Sequence, residues 1–88
     1  MHAVVVEVTV SDVEAAQRSL SEQVVPRVSQ APGFVSGYWT RKDNKGLAMI
    51  LFESEDAATR ASEMVPTMVP RESVTLDDVE VREVVAQA

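Results

Sequence analysis

The segment at residues 30–39, which reads Gln-Ala-Pro-Gly-Phe-Val-Ser-Gly-Tyr-Trp, constrains the fold more than any other part of the chain. A pattern of apolar residues at helical spacing runs up to this segment and stops at Pro32-Gly33, because proline lacks a backbone donor and glycine leaves helical geometry easily. Residues typical of a β-strand begin at Phe34 and include the only tyrosine and the only tryptophan. A helix therefore leads directly into a strand, in a chain of just 88 residues.

The sequence before this junction predicts a strand followed by a helix. Residues 3–10 are rich in valine, which favours a strand. Ser11 with Glu14 three positions later is a capping-box pattern that predicts the start of the helix. Pro26 lies inside the helical pattern and predicts a kink there or a helix end near Val25. The apolar face of this helix is predicted to consist of Val13, Ala16, Leu20, Val24 and Val28.

The sequence after the junction predicts a hairpin of two strands. The second strand is expected at residues 34–41 and the third at residues 47–53. Between them, Asp43-Asn44-Lys45-Gly46 contains the residue types that favour tight hairpin turns.

A second helix is predicted to follow the hairpin. Ser54 is expected to cap it, because a serine side chain can accept a hydrogen bond from an amide of the first turn. Pro66 is expected to end it, with an irregular connection over residues 66–73. The face turned toward the sheet is predicted to be Ala57, Ala58, Ala61, Met64 and Val65.

The fourth strand completes a symmetric order of elements. It is expected at residues 79–85, entered by residues 74–76, with Asp77-Asp78 as a bulge or bend. The order strand–helix–strand thus occurs twice, which predicts a single α+β domain over residues 1–88 with the ferredoxin-like βαββαβ arrangement. Right-handed crossovers place the first and third strands at the centre of a four-stranded antiparallel sheet, with both helices on one face.

The face of the sheet without helices poses a problem, because both central strands are apolar on nearly both faces. Either alternating set would leave a contiguous apolar patch larger than monomers usually expose. A symmetric homodimer, in which two sheets pack together, is the simplest arrangement that covers it. The candidate sets for the open face are Ala3, Val5 and Glu7 or Val4, Val6, Val8 and Val10 in the first strand, and Leu47, Met49 and Leu51 or Ala48, Ile50 and Phe52 in the third.

Composition excludes several classes of function. Fourteen acidic residues against eight basic ones give a net charge of −6, which argues against nucleic acid as a partner. The absence of cysteine and the presence of a single histidine, His2, argue against a transition-metal site, and no cofactor is predicted. The apolar run near the N-terminus is interrupted by Glu7 and is too short for a signal peptide or a membrane span, so a cytoplasmic protein is expected.

Three features of the chain resemble the dimeric α+β barrel superfamily, near its antibiotic-biosynthesis-monooxygenase-like group. They are the strand order, Val25-Pro26 ahead of Ala31-Pro32-Gly33-Phe34, and Leu51-Phe52-Glu53-Ser54 leading into an alanine-rich helix. The resemblance covers nearly all of the chain. It implies sheet-to-sheet dimerisation into a barrel, a ligand cavity between the helices and the sheet of each protomer, and metal-free, monooxygenase-like chemistry.

The departures from this superfamily disfavour one of its activities. Its haem-degrading members resemble one another in an asparagine on the first strand, with a tryptophan and a histidine farther along. In this chain the first strand offers Glu7 instead, the only histidine is His2, and the only tryptophan, Trp39, is on the second strand. Haem degradation is therefore not expected.

Two adjacent aromatic residues are the first candidates for ligand binding. Tyr38 and Trp39 are neighbours on a strand, so they point to opposite faces and cannot share one pocket. One is expected to face the cavity and the other the dimer interface or solvent. The alternative is that both only pack, since aromatic side chains are common in cores and interfaces.

The remaining candidates are charged or flexible side chains. Glu7 is the only charge in the first strand and is either an acid or base in the cavity or half of an ion pair with Arg82 or Arg41. Arg41 is a further candidate for holding a ligand. His2 is either a general base or an exposed residue at a frayed end. The methionines that either line an adaptable apolar cavity or fill the core are Met49, Met64 and Met68.

Two hypotheses about function follow. The first is a small homodimeric, monooxygenase-like protein that binds a small aromatic or apolar molecule without a metal. The second is a non-enzymatic dimer that serves as a ligand-binding or stress-related module. A cavity of roughly a few hundred cubic ångströms, lined by Trp39 or Tyr38 and one polar group, would favour the first.

Overall fold

The computed structural model describes all 88 residues and shows a four-stranded sheet with helices packed on one face. The strands are antiparallel in the order β2-β3-β1-β4, so β1 and β3 are central as predicted. The elements are β1 (His2–Val10), α1 (Val13–Ser19), a π-helix (Leu20–Val24), α2 (Val25–Ser29), β2 (Phe34–Lys42), β3 (Lys45–Phe52), α3 (Glu55–Met68) and β4 (Val74–Glu83).

The first helix begins one residue later than the capping box predicted. Ser11 still follows β1 and donates its backbone amide to the Ser73 carbonyl at 2.8 Å. Asp12 takes the cap position instead, and its carboxylate accepts a hydrogen bond from the Ala15 amide at 3.1 Å. The prediction of Ser11 as the cap was therefore wrong, because contact with the start of β4 holds that residue outside the helix.

The first helix also continues past Pro26. The backbone stays right-handed helical through both junctions of α1, the π-helix and α2, so the three segments form one continuous helix. At the end of the π-helix the Val25 amide donates to the Leu20 carbonyl, five residues back. Pro26 has no amide hydrogen to donate to the preceding turn, and the wider hydrogen-bond spacing of the π-helix lies directly before it. The predicted helix end near Val25 was therefore wrong.

The helix then stops where the sequence indicated. Gly33 has a φ of 82°, in the left-handed region that glycine adopts without strain. A β-carbon at this position would lie 2.8 Å from the β-carbon of Ala57, so α3 packs directly on the backbone of the connection. The helix itself ends at Ser29, three residues before Pro32, so it does not pass the predicted stop at Pro32-Gly33.

The second half of the chain contains two confirmed predictions and one further departure. Ser54 caps α3 as predicted, accepting from the Ala57 amide at 3.1 Å. The helix does not end at Pro66, however, but continues to Met68, and the Val69 amide donates to the Val65 carbonyl. β4 begins at the entry segment and includes the predicted bulge, because Glu7 pairs with Asp78 while Val8 pairs with Leu76.

The hydrophobic core lies between the sheet and the helices. Phe52 and Val4 are fully buried at its centre. The ring of Phe34 meets that of Phe52 edge to face at 6.2 Å, which is a favourable aromatic geometry. No helix of the chain is both long enough and apolar enough to cross a bilayer. The buried residues of this core are Val4, Val6, Val28, Ala48, Ile50, Phe52 and Ala58.

Candidate functional site

The structure assigns each side of the central strands to one face of the sheet. The covered face is built from the even-numbered valines of β1 with Ala48, Ile50 and Phe52 of β3, which pack against the helices. Because side chains alternate along a strand, Ala3, Val5 and Glu7 of β1 and Leu47, Met49 and Leu51 of β3 share the open face. On β2, Trp39 faces the helices and Tyr38 faces the opposite way.

A cavity of about 190 Å³ lies between the covered face of the sheet and the helices. Sixteen of the 21 residues that line it are hydrophobic, so most of its surface is apolar. The π-helix supplies Leu20 and Val24 to one wall, and π-helical segments occur frequently at functional sites. The opposite walls include Val6, Val8, Trp39, Ile50, Val65 and Met68.

The position of the Trp39 ring depends on Gly37. A β-carbon at Gly37 would lie 2.8 Å from Cη2 and 2.9 Å from Cζ3 of Trp39, so the indole lies over the bare backbone of its own strand. The same site is 3.6 Å from the ring of Phe34. Any side chain at position 37 would therefore displace the indole from its present position.

One end of the cavity is polar. Arg41 is the only charged residue that lines the cavity, and the other residues with polar side chains that line it are Thr40 of β2 and Gln17 of α1. The Arg41 Nη1 atom donates to the backbone carbonyl of Asp43 at 2.6 Å, which ties the guanidinium to the hairpin turn. No carboxylate lies within ion-pair distance of Arg41. The site thus combines apolar walls with one unpaired positive charge.

The structure brings together two of the residues predicted to bind a ligand, which were Trp39, Tyr38, Glu7, Arg41, Met49 and Met64. Trp39 and Arg41 line the cavity, whereas Tyr38, Met49 and Glu7 lie on the open face. The prediction that Met64 faces the sheet was wrong, because it is 50% exposed on α3 and lines no part of the cavity.

The cavity is also lined by Met68, which the sequence did not distinguish from the other methionines, and by Gln17, which the sequence did not single out. Of the three methionines considered, only Met68 lines it, because α3 continues through Pro66 and carries Met68 onto the same face as Val65. Gln17 was not predicted. Its only signal in the sequence is its place between Ala16 and Leu20, at the edge of the apolar stripe.

Glu7 and His2 are placed differently from expectation. Glu7 is exposed and forms no ion pair, since Arg82 pairs with Glu80 on its own strand and Arg41 donates to a backbone carbonyl. His2 is not frayed but begins β1, and its Nε2 atom lies 3.5 Å from the Glu55 carboxylate. The predicted ion pair of Glu7 with Arg82 or Arg41 was therefore wrong.

The open face carries a second feature, an apolar patch that no element of the chain covers. Tyr38 is 65% exposed, Met49 45% and Leu47 43%. Tyr38 pairs with Met49, and Met49 pairs with Val5, so these side chains form one row across three strands. The open-face patch is defined as Tyr38, Leu47, Met49, Val5 and Leu51.

Comparison with known proteins supports the fold. No protein-family model matches the sequence, and no curated protein has a significantly similar sequence. The structure is similar to the crystal structure of a dimeric ferredoxin-like protein from an uncultured marine organism, with a TM-score of 0.69. That match covers 100% of this chain and 98% of the other at 12% sequence identity. The chain therefore has a ferredoxin-like α+β fold.

Proposed function

We propose that this protein is a homodimer in which each protomer binds one small apolar molecule, preferably a single aromatic ring, in the cavity between sheet and helices. The cavity of about 190 Å³ with Trp39 in its wall is the observation that carries this proposal. An apolar cavity of about 150 Å³ is large enough to bind benzene. A ring with a short substituent therefore fits this one, and a drug-sized ligand, which needs at least about 300 Å³, does not.

The chemistry of the walls supports a binding role. Trp39 offers an aromatic surface for an apolar ring, and aromatic pairs contribute about 0.5–1.5 kcal/mol beyond the burial of their area. Neither a carboxylate nor a histidine lines the cavity, so no side chain there can act as a general base on the ligand. Binding without catalysis is thus the form of the hypothesis that the geometry favours.

The homodimer is proposed from the open-face patch. Its partly exposed side chains are those of a typical interface core, in which aromatic residues and methionine are enriched. A two-fold arrangement would cover the same patch on both protomers at once. The similar ferredoxin-like protein is dimeric, which agrees with this proposal.

The single tryptophan allows a direct test of ligand binding. Titration of p-cresol and toluene into the protein should change the emission of Trp39, because a ligand in the cavity replaces water or vacant space beside the indole. Ala16→Leu, which extends a cavity-lining side chain, should abolish this change. Ala15→Leu is the matched control, since Ala15 is on the same helix and lines no part of the cavity. Saturable binding that survives Ala16→Leu would place the ligand elsewhere and contradict the proposal.

Monooxygenase-like chemistry is the second candidate, favoured by the apolar enclosure around Trp39. Such a reaction would rest on the reactivity of the substrate toward oxygen, with the protein supplying a dry pocket and Arg41 as an orienting group. Oxygen consumption with single-ring hydroquinones measures it. We expect no uptake above that of the buffer, and uptake that Ala16→Leu abolishes would favour the enzyme instead.

A further inference from the structure

The polar end of the cavity indicates the class of ligand more narrowly. We infer that the natural ligand is a small apolar acid, whose ring or hydrocarbon part fills the cavity and whose carboxylate pairs with Arg41. This inference rests on the proposed binding function and adds the charge of the ligand to it.

The distribution of charge around the cavity is the first argument. The chain carries more acidic than basic residues, yet the only charged side chain that lines the cavity is a basic one, Arg41. No acidic side chain lines the cavity or lies within ion-pair distance of Arg41. A negatively charged group at this end would therefore face a positive charge and no lining carboxylate.

The state of the Arg41 side chain is the second argument. A guanidinium has five N–H donors in a planar fork that matches a carboxylate. One of these groups, at Nη1, is used by the Asp43 carbonyl at 2.6 Å, and no acidic side chain uses the others. The bond to Asp43 ties the guanidinium to the hairpin turn, so part of the side-chain freedom of Arg41 is already lost before an anion binds.

The turn that provides this carbonyl has an unusual backbone. Asp43 has a φ of 55°, a left-handed conformation that aspartate tolerates in two-residue hairpin turns. The Val10 amide donates to the adjacent Asn44 carbonyl at 2.7 Å, which anchors the turn to the end of β1. The position of Arg41 is thus set by a turn that is itself fixed to the central strand.

The volume limits the acid to a small one. Apart from the carboxylate, which would lie at the polar end, the cavity accepts one ring or a hydrocarbon of similar size. Phenylacetate has these properties and is used here as the probe. Phenylacetamide has nearly the same shape without the charge and is the matched neutral probe.

The test compares both probes by Trp39 fluorescence and calorimetry on the full chain. The protein should bind phenylacetate about tenfold more tightly than phenylacetamide, because charge-assisted hydrogen bonds are roughly twice as strong as neutral ones. Arg41→Gln should remove this preference while changing the affinity for phenylacetamide less than about twofold, and Arg41→Lys should keep part of it.

Lys42→Gln is the control for long-range electrostatics. It changes the net charge by the same amount as Arg41→Gln, but Lys42 does not line the cavity. It should leave the preference for phenylacetate intact. Equal losses in Arg41→Gln and Lys42→Gln would overturn the inference.

The remaining outcomes separate this inference from the proposed function. Equal affinity of the wild-type protein for phenylacetate and phenylacetamide would overturn the inference and leave the proposed function standing. Absence of binding for both of these probes and for p-cresol would overturn both.

Discussion

Replacement of Met49 by glutamate tests whether the open-face patch is a dimer interface. Met49 is 45% exposed in the protomer, and its cross-strand neighbours on this face are Tyr38 and Val5, neither of which carries a positive charge to pair with a carboxylate. In a monomer the new glutamate would remain hydrated and would change the fold little. In a sheet-to-sheet dimer it would be buried without a partner.

The exposed fraction gives the size of the effect. Full burial of a methionine side chain contributes about 1.5–3 kcal/mol, so the 45% that is exposed corresponds to roughly 1 kcal/mol per protomer. A two-fold interface contains the residue twice, which gives about 2 kcal/mol per dimer. Each unpaired carboxylate adds at least about 1 kcal/mol, so the dimer should lose about 4 kcal/mol. The dissociation constant should then rise about a thousandfold.

Sedimentation velocity over a range of protein concentrations measures this change. Met64→Glu is the matched control, because Met64 is 50% exposed but lies on α3, away from the open face. It should leave the dimer unchanged, while circular dichroism should show that both variants are folded. A wild-type protein that sediments as a folded monomer at micromolar concentration would refute the reasoning. A Met49→Glu variant with the wild-type dissociation constant would do the same.

Two further predictions concern the capped helix and the tryptophan. Ser54→Ala should lower the free energy of unfolding by about 1 kcal/mol, because the Ala57 amide loses its cap, and urea denaturation measures this; an unchanged midpoint would show that the cap contributes nothing. Gly37→Ala should shift the Trp39 emission and destabilise the fold by about 1–3 kcal/mol, since the new methyl group would approach the indole to 2.8 Å. Unaltered emission and stability would show that the indole does not rest on Gly37.

Several details of the helices depended on contacts that a local pattern does not contain. Pro26 and Pro66 were both expected to interrupt a helix, and the chain remains helical beyond each. A proline removes one donor, but packing of the apolar face against the sheet offsets that cost, and a π-helix changes the register before Pro26. Met68 reaches the cavity only because of this continuation.

The candidate site could be predicted only in part. The alternation of a strand established that Tyr38 and Trp39 point to opposite faces, but it could not decide which of them faces the helices. Glu7 is a comparable case, because a lone charge in an apolar strand is compatible with either face until the partner strands are known. The structure places Trp39 in the cavity and Glu7 on the open face.

Sequence patterns were enough to predict the order of elements, the central position of β1 and β3, and the bulge in β4. The order of elements and the bulge follow from local signals, namely capping residues, turn residues and the period of apolar side chains. The central position of β1 and β3 follows from the right-handed crossovers that this order requires. The packed fold was needed to show which side of the central strands meets the helices and that a cavity lies between them. A strand that is apolar on both sides shows no alternation of apolar and polar residues from which its buried side could be predicted. A cavity depends on the spacing between the sheet and the helices, and no single segment of the sequence determines that spacing.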